Sequence, residues 1–372
     1  MEKLDVNELI VASQRYGMDA RFVLLGGGNT SLKDDEVMYV KASGHALGTI
    51  SRDGFVKMSI PRLNQIWDRK YPVEQDAREK EVLADMMAAR CDGQESRPSV
   101  EALLHAIIPF RYVFHMHPAL INGVTCGQSG KEAVEKLFAD SIWIPLVNPG
   151  YILAKTVREA QAVYRESQAG EANLIFLQNH GVFVAADTID EIDAIYNHLI
   201  EVLERYVTRK PNFNSVKVNG KRVENVKKVL TTFFEGTEEI PFVMNRELAA
   251  RLRDRETFYP ISSAYTPDHI VYSGFAPLWI DEALFSAVDP DEAILKVLEE
   301  YKAKNLVPPK IVVVQNTGAF AVNEIAMTLF LDTLKVAAFV ESFGGPRFMD
   351  EDQINFIRNW EVESYRSKLL AK

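Results

Sequence analysis

The sequence predicts an α/β protein built as two domains, and three observations carry that reading. Its 372 residues are 47% hydrophobic and 25% charged, the balance of a globular chain with enough apolar material for a substantial core. Short apolar runs alternate along its length with longer segments of helical apolar spacing. At 205–228 the composition turns basic and rich in Asn and Gly, around Pro211, Asn212, Asn214, Asn219 and Gly220, which reads as a connection. The expected division is 1–208, a linker at 209–225, and a smaller α/β domain at 226–372.

The elements follow in order. Residues 4–16 have helical spacing and stop at Gly17. The stretch FVLLGGGNTSLKDDEVMYVKASGH (22–45) reads as strand, glycine turn, strand and polar loop. An amphipathic helix is expected near 74–91 and a second at 100–108, opening after Pro98 and Ser99 and stopped by Pro109. RYVFHMHP (111–118) is a short strand, and SIWIPLV (141–147) a further apolar run. NLIFLQNHGVFVAA (173–186) reads as strand, tight turn at Asn179–Gly181, and strand; a long helix follows at 188–208. Beyond the connection come a helix near 246–255, a loop TPDHIVYSG (266–274), a helix at 290–304, the strand KIVVVQ (310–315), the turn NTGAF and a helix at 324–340. The tail is a glycine turn and one helix, in which Trp360 and Tyr365 fit packing positions. No internal repeat and no low-complexity tract is read.

Charge and cysteine content narrow the function classes. Forty-two basic against 52 acidic side chains leave a formal net charge of −10, which argues against a general nucleic-acid binder. No apolar run approaches the roughly 18–20 residues of a membrane helix, and the first twenty residues lack the apolar core of a signal peptide. Cys91 and Cys126 stand alone, so a reducing, cytoplasmic setting is expected. The basic segment 205–228 reads as a solvated connection, with a phosphate-binding patch as the alternative.

Seven histidines are the scarce reagent: His45, His105, His115, His117, His180, His198 and His269. In a strand, His115 and His117 point to one face roughly 7 Å apart at the backbone and can converge on one ion. Histidine is the commonest ligand of zinc, and catalytic zinc sites use three protein ligands with one open position. His-x-His alone is a weak signal. His180, at the turn between two apolar runs, supplies a third candidate; a hydrogen bond to the turn backbone is its plainer role. Glu101 stands where a helix begins, a position the helix dipole favours for a carboxylate. Beside a metal it could instead move a proton at carbon. His105 lies one helical turn on and reads as a supporting residue behind the ligands. Gly26–Gly27–Gly28–Asn29–Thr30–Ser31 matches no phosphate-loop pattern, yet is a turn whose amides and hydroxyls could meet an anion. Ser43, Gly44 and Ser99 are similar small groups at element ends.

Taken in order, GGGNTS (26–31), KASGH (41–45), RPSVEALLH (97–105), HMHP (115–118) and NHGVFVAADT (179–188) resemble the class II, zinc-dependent sugar-phosphate aldolases of the aldolase–adducin superfamily. The resemblance covers about residues 1–208. With PDHI (267–270) and ESFGGPRF (341–348), the longer chain is similar to the aldolase part of bifunctional rhamnulose-phosphate aldolase/dehydrogenase proteins. It implies a three-layer α/β/α domain with a central mixed, largely antiparallel sheet. It implies His115, His117 and His180 as ligands of Zn2+ or another divalent metal, and Glu101 as catalytic acid/base. Asn29, Ser43, Gly44 and Ser99 fall where the family holds a substrate phosphate. Val100 departs from the paired serines of many members.

The implied activity is reversible retro-aldol cleavage of a ketose, rhamnulose- or fuculose-phosphate-like, by a homo-oligomer of tetrameric type with intersubunit sites. The family's second acid/base is often a neighbour's tyrosine, and 13 tyrosines here offer no choice. The same scaffold resembles sugar-acid phosphate decarboxylases and 4-epimerases; a non-catalytic, adducin-like interaction protein is the other class. No nucleic-acid or membrane partner is expected. In the second domain, Asp268–His269 reads as a loop-capping Asp with an incidental His, with a polar pair at a site as the alternative. Phe343–Gly344–Gly345–Pro346–Arg347 is either an anion turn or a helix-entry turn.

Overall fold

The computed structural model describes residues 4–167, 170–235, 237 and 239–360; Tyr365 lies outside them. The chain divides into two compact units: unit 1 holds the described residues of Met1–Thr125, Gly130–Tyr206 and Asn359–Lys372, and unit 2 those of Cys126–Ser129 and Val207–Arg358.

Unit 1 is organised on a seven-stranded sheet. Its strands are β1 (Asn29–Lys33), β2 (Val37–Lys41), β3 (Phe55–Ser59), β4 (Tyr112–Met116), β5 (Ile142–Ile144), β6 (Leu174–Leu177) and β7 (Gly181–Ala186), in the order β3-β2-β1-β4-β7-β6-β5. Only β5 and β6 run parallel; every other pair is antiparallel. On one face, Met38, Val40, Val56, Met58, Val113 and Phe183 pack with Val82, Met86, Leu103, Leu104, Leu153 and Val157 of the helices Gln75–Ala88, Ala102–Ile107 and Tyr151–Ser167. On the other, Phe114 meets Tyr16 of helix Val6–Met18, which also touches Phe22 and Tyr196 of helix Ile189–Tyr206, with ring centroids 4.7–5.4 Å apart. Burial of each such ring stabilises by roughly 1.5–3 kcal/mol. The sandwich of helices, mixed sheet and helices is the expected architecture.

Unit 2 carries a four-stranded sheet, β8 (Phe242–Val243), β9 (Leu278–Ile280), β10 (Ile311–Val314) and β11 (Gly318–Ala321), in the order β8-β11-β10-β9. Helices Gly220–Phe233 and Pro290–Asn305 cover one face through Val226, Leu230, Ile294 and Leu298.

Three local readings change. FVLLGGG is not a strand: Leu25 takes a positive φ of 51°, and the hairpin is Asn29–Lys33 with Val37–Lys41, turning at Asp34–Glu36. Phe22 and Val23 are buried anchors instead, and the Phe22 carbonyl accepts the His117 amide at 3.0 Å. The segment TPDHIVYSG is a buried helix, Pro267–Ser273, capped by Thr266; His269 lies 3.4 Å from Asp332 of helix Glu324–Phe339. The expected linker 209–225 runs into helix Gly220–Phe233, with Asn219 as its N-cap. Its arginines are paired, Arg209 with Glu247 and Glu341, and Arg222 with Glu282, so in them the solvated-connection reading outweighs a phosphate patch.

At the outer edge of the seven-stranded sheet, β3 is covered by loop: the Ser59 amide donates to Ala89 O, Cys91 N to Lys57 O, and Lys57 N to Gln94 Oε1, at 2.8–2.9 Å.

Gly28 requires glycine. Its φ is +65°, and a Cβ there would lie 2.9 Å from the His115 carbonyl oxygen. Gly28→Ala is expected to lower unfolding free energy by about 1–2 kcal/mol or more, read from denaturant midpoints. An unchanged midpoint would contradict the close approach described.

Candidate active site

Two strand pairings build the site. Asn29 of β1 stands opposite His115 of β4, and His115 opposite Phe183 of β7, so the three form a row across adjacent strands. His115 stacks on Phe183 with centroids 4.2 Å apart. His117 follows the end of β4, and His180 sits in the β6–β7 turn, where Asn179 takes a positive φ of 55°. The ligating atoms of His115, His117 and His180 all lie within 4.8 Å of one another.

The hydrogen bonds define the protonation state. His115 Nδ1 lies 3.1 Å from the Val182 carbonyl, which can only accept, so Nδ1 carries the proton and Nε2 the lone pair. Complete burial pushes the His115 pKa well below its ordinary value, against the opposing pull of Glu101, and the ring is neutral. That bare nitrogen faces His117 Nε2 at 2.9 Å and Glu101 Oε1 at 3.5 Å; His180 Nε2 lies 3.6 Å from the same oxygen. Glu101 Oε1 is buried and accepts no hydrogen bond. Three imidazole nitrogens within 4.8 Å of one another, beside a buried carboxylate oxygen, are the donor set of a cation site. The three histidines therefore fit a divalent metal as ligands, with Glu101 beside it.

Glu101 opens helix Ala102–Ile107. Its amide donates to Ser99 Oγ at 3.2 Å, and its Oε2 accepts from Asn29 Nδ2 at 2.6 Å. Burial would raise its pKa; positive charge on the surrounding histidines or on an ion in their place, together with the Asn29 amide, outweighs that and holds the carboxyl below its ordinary value. Asn29 is oriented in turn. Because its Nδ2 faces Glu101, its Oδ1 faces His105 Nε2, which must donate; His105 Nδ1 then accepts from Ser31 Oγ at 2.7 Å. Burial is the chief cause that drives His105 down to about 3.

The remaining expected residues assemble nearby. Residues 41–43 and 97–99 pair as a short bridge: Ser43 N donates to Arg97 O, Ser99 N to Lys41 O, and Ser43 Oγ to Pro98 O. Gly44 takes a φ of 85°. Asn29 is engaged with Glu101 and His105, and Ser99 with the Glu101 amide. Val100 points elsewhere, into a cavity of about 230 Å³ with Glu79, Leu103, Tyr151 and Trp360.

Two residues of the quoted motifs have roles that the sequence reading did not give them. Ser31 completes the chain behind His105. Lys41 is buried, and its ammonium donates to Gly26 O at 2.9 Å and Gly28 O at 2.7 Å, turning those carbonyls inward. A lysine ending the apolar run VMYVK was the available signal.

Residues 7–207 match the family model "Class II Aldolase and Adducin N-terminal domain". Uncharacterized oxidoreductase YuxG of Bacillus subtilis (strain 168) is 24% identical over 424 residues, covering 98% of this chain; the chain spans 58% of that relative's length. Among solved structures, the N-terminal class II aldolase domain of a conserved protein from Thermoplasma acidophilum matches 55% of this chain and 95% of its own at 26% identity and TM-score 0.46. An L-fuculose 1-phosphate aldolase matches 54% of this chain and 83% of its own at 17% identity and TM-score 0.36.

The buried rings set a pH dependence. Unfolded histidine binds a proton near pH 6.5, whereas His105 resists it down to about 3. Between those values the unfolded state holds more protons, so stability is full above about pH 6.5 and is lost as pH falls. Each such group contributes a slope of up to about 1.4 kcal/mol per pH unit. His105→Gln should flatten the fall in unfolding free energy between pH 4.5 and 7, measured by urea titration. An unchanged slope would show that His105 protonates normally in the fold.

Proposed function

Because this chain belongs to the class II aldolase and adducin family, we propose that unit 1 catalyses reversible aldol cleavage of a ketose, of the ketose 1-phosphate class, with a divalent metal held by His115, His117 and His180. The observation that carries the reading is the buried, hydrogen-bond-free Oε1 of Glu101, 3.5–3.6 Å from two ligand nitrogens. Cleaving a C–C bond next to a carbonyl leaves negative charge on oxygen and an electron pair shared with carbon. A divalent ion, when bound, supplies Lewis-acid stabilisation of that oxyanion.

The residues of the chain do the rest. Glu101, ionised at neutral pH, removes the proton from the donor carbon in the condensation direction; in cleavage the substrate hydroxyl gives up one proton to solvent as the C–C bond breaks, and Glu101 takes one up and delivers it to the donor carbon. Asn29 occupies Oε2, which leaves Oε1 to face the reacting carbon. Lys41 holds the carbonyls of the glycine loop inward, and this favours amides and the Ser43 and Ser99 hydroxyls for an anionic group of the substrate. Val100 in place of a second serine removes one hydroxyl from that end. Zinc is the metal proposed, and an oligomer in a cytoplasmic setting accompanies the reading.

Elemental analysis should find about one divalent ion per chain, lost in His115→Ala. A folded wild-type protein that takes up no ion would overturn the reading. Glu101→Gln should keep the ion but lose cleavage and exchange of the donor's carbon-bound proton by roughly 10²–10⁴-fold. With ketose 1-phosphates and 3-oxo acids as substrates, release of an aldehyde together with a ketone supports aldol cleavage; an epimer alone, or carbon dioxide and a ketone with no aldehyde, overturns it.

A further inference from the structure

Unit 2 repeats, strand for strand, the half of unit 1 that holds the histidines. In unit 1, β4, β7, β6 and β5 lie side by side; in unit 2, β8, β11, β10 and β9 do. The senses agree: β4 with β7 and β8 with β11 are antiparallel, β7 with β6 and β11 with β10 antiparallel, β6 with β5 and β10 with β9 parallel. The helices agree too. Tyr151–Ser167 joins β5 to β6 as Pro290–Asn305 joins β9 to β10, and Ile189–Tyr206 follows β7 as Glu324–Phe339 follows β11.

The likeness extends to single residues. Ile175 pairs with Phe183 and Leu177 with Gly181; Val312 pairs with Phe320 and Val314 with Gly318. Trp143 of Ile-Trp-Ile pairs with Phe176, and Trp279 of Leu-Trp-Ile with Val313. The turns are Gln178–Asn179–His180–Gly181 and Gln315–Asn316–Thr317–Gly318, with φ of 55° at Asn179 and 53° at Asn316. Gln178 N donates to Ile144 O as Gln315 N does to Ile280 O, each at 3.0 Å. A Cβ at Gly181 would lie 2.5 Å from Met116 O, and one at Gly318 would lie 2.7 Å from Val243 O. The absence of a repeat, read from the sequence, is thereby corrected. Identity survives in the turn, in the Trp-Ile pair and in Phe183 and Phe320, while the rest is kept as pairing and register.

Register then says what became of the metal positions. His115 stands opposite Phe183 and stacks on it; Phe242 stands opposite Phe320, with centroids 4.8 Å apart. His117 follows Met116 as Met244 follows Val243, and His180 precedes Gly181 as Thr317 precedes Gly318. We infer that unit 2 is a second copy of the metal-holding half-sheet in which Phe242, Met244 and Thr317 replace the three histidines, so that of the two half-sheets one is a metal centre and the other its silent counterpart. The inference rests on the metal reading of unit 1. A phenyl ring offers no lone pair, a hydroxyl is a poor ligand at neutral pH, and a lone thioether is too soft for zinc.

The test uses the full chain. Wild type should bind about one zinc per chain and His115→Ala none. Adding Phe242→His, Met244→His and Thr317→His to His115→Ala should restore about one, with the cobalt(II) absorption of a site of nitrogen ligands. Binding of two ions by wild type, one of them surviving His115→Ala, would overturn the silence of unit 2. A triple-histidine protein that keeps its circular dichroism and cooperative melting yet takes up no ion would overturn the positional match. Should that protein not fold, Phe242→His with Met244→His alone in the same background provides the measure. Nickel(II) should raise its melting temperature but not that of its parent, and no rise overturns the match. Wild type without any ion sinks the metal reading of unit 1 instead, and restored binding in unit 2 would still establish the repeat.

Discussion

β4 is hydrogen-bonded to β1 on one side and to β7 on the other, and these two registers decide where the polar groups of the site lie. They put Asn29, His115 and Phe183 in one row. A slip of one residue would send His115 to the opposite face, beside Tyr16 and Tyr196 and away from the Asn29 and Phe183 side chains. The register is held by burial on both faces and by the close passage of Gly28 under the His115 carbonyl. With the row in place, Asn29 can hold Glu101, and Glu101 can turn one oxygen towards the histidines.

Much of this was legible in residue order. The short apolar runs around the histidines, the turn at Asn179–Gly181 and the helices at both flanks follow from periodicity and from glycine or proline stops. What could not be read was which apolar run pairs. FVLL has the composition of a strand, but backbone geometry at Leu25 and Gly28 makes it an anchor for the loop instead. TPDHIVYSG looked like a loop because proline and glycine bracket it, yet Thr266 caps it and its interior is buried, so tertiary packing overrode local signals. At the site, the three histidines and Glu101 could be named from type and spacing. The roles of Ser31 and Lys41 could not, since they come from partners elsewhere in the chain and from the interior in which both are enclosed.

The two copies of the half-sheet separate what the scaffold needs from what the chemistry needs. The Asn at positive φ, the glycine facing a strand carbonyl and the tryptophan in the parallel strand occur in both. They serve backbone geometry. The histidines occur in one only, and losing them leaves the turn intact, because the residue between Asn and Gly contributes its amide to the turn whatever its side chain: His180 N donates to Leu177 O, and Thr317 N to Val314 O. Ligand choice at that position is therefore decoupled from folding.

The cover over β3 has a consequence for how copies of the chain can meet. An uncovered edge strand is a template on which another chain can add by backbone pairing, the route to runaway polymers. Here the amides and carbonyls along the outside of β3 already bond to Ala89, Cys91 and Gln94, and the opposite edge, β5, is only three residues long. Sheet continuation from one molecule to the next is blocked on one side and has little to grip on the other. For the seven-stranded sheet, contact between copies is left to side-chain surfaces, whose shape and charge limit how many can join.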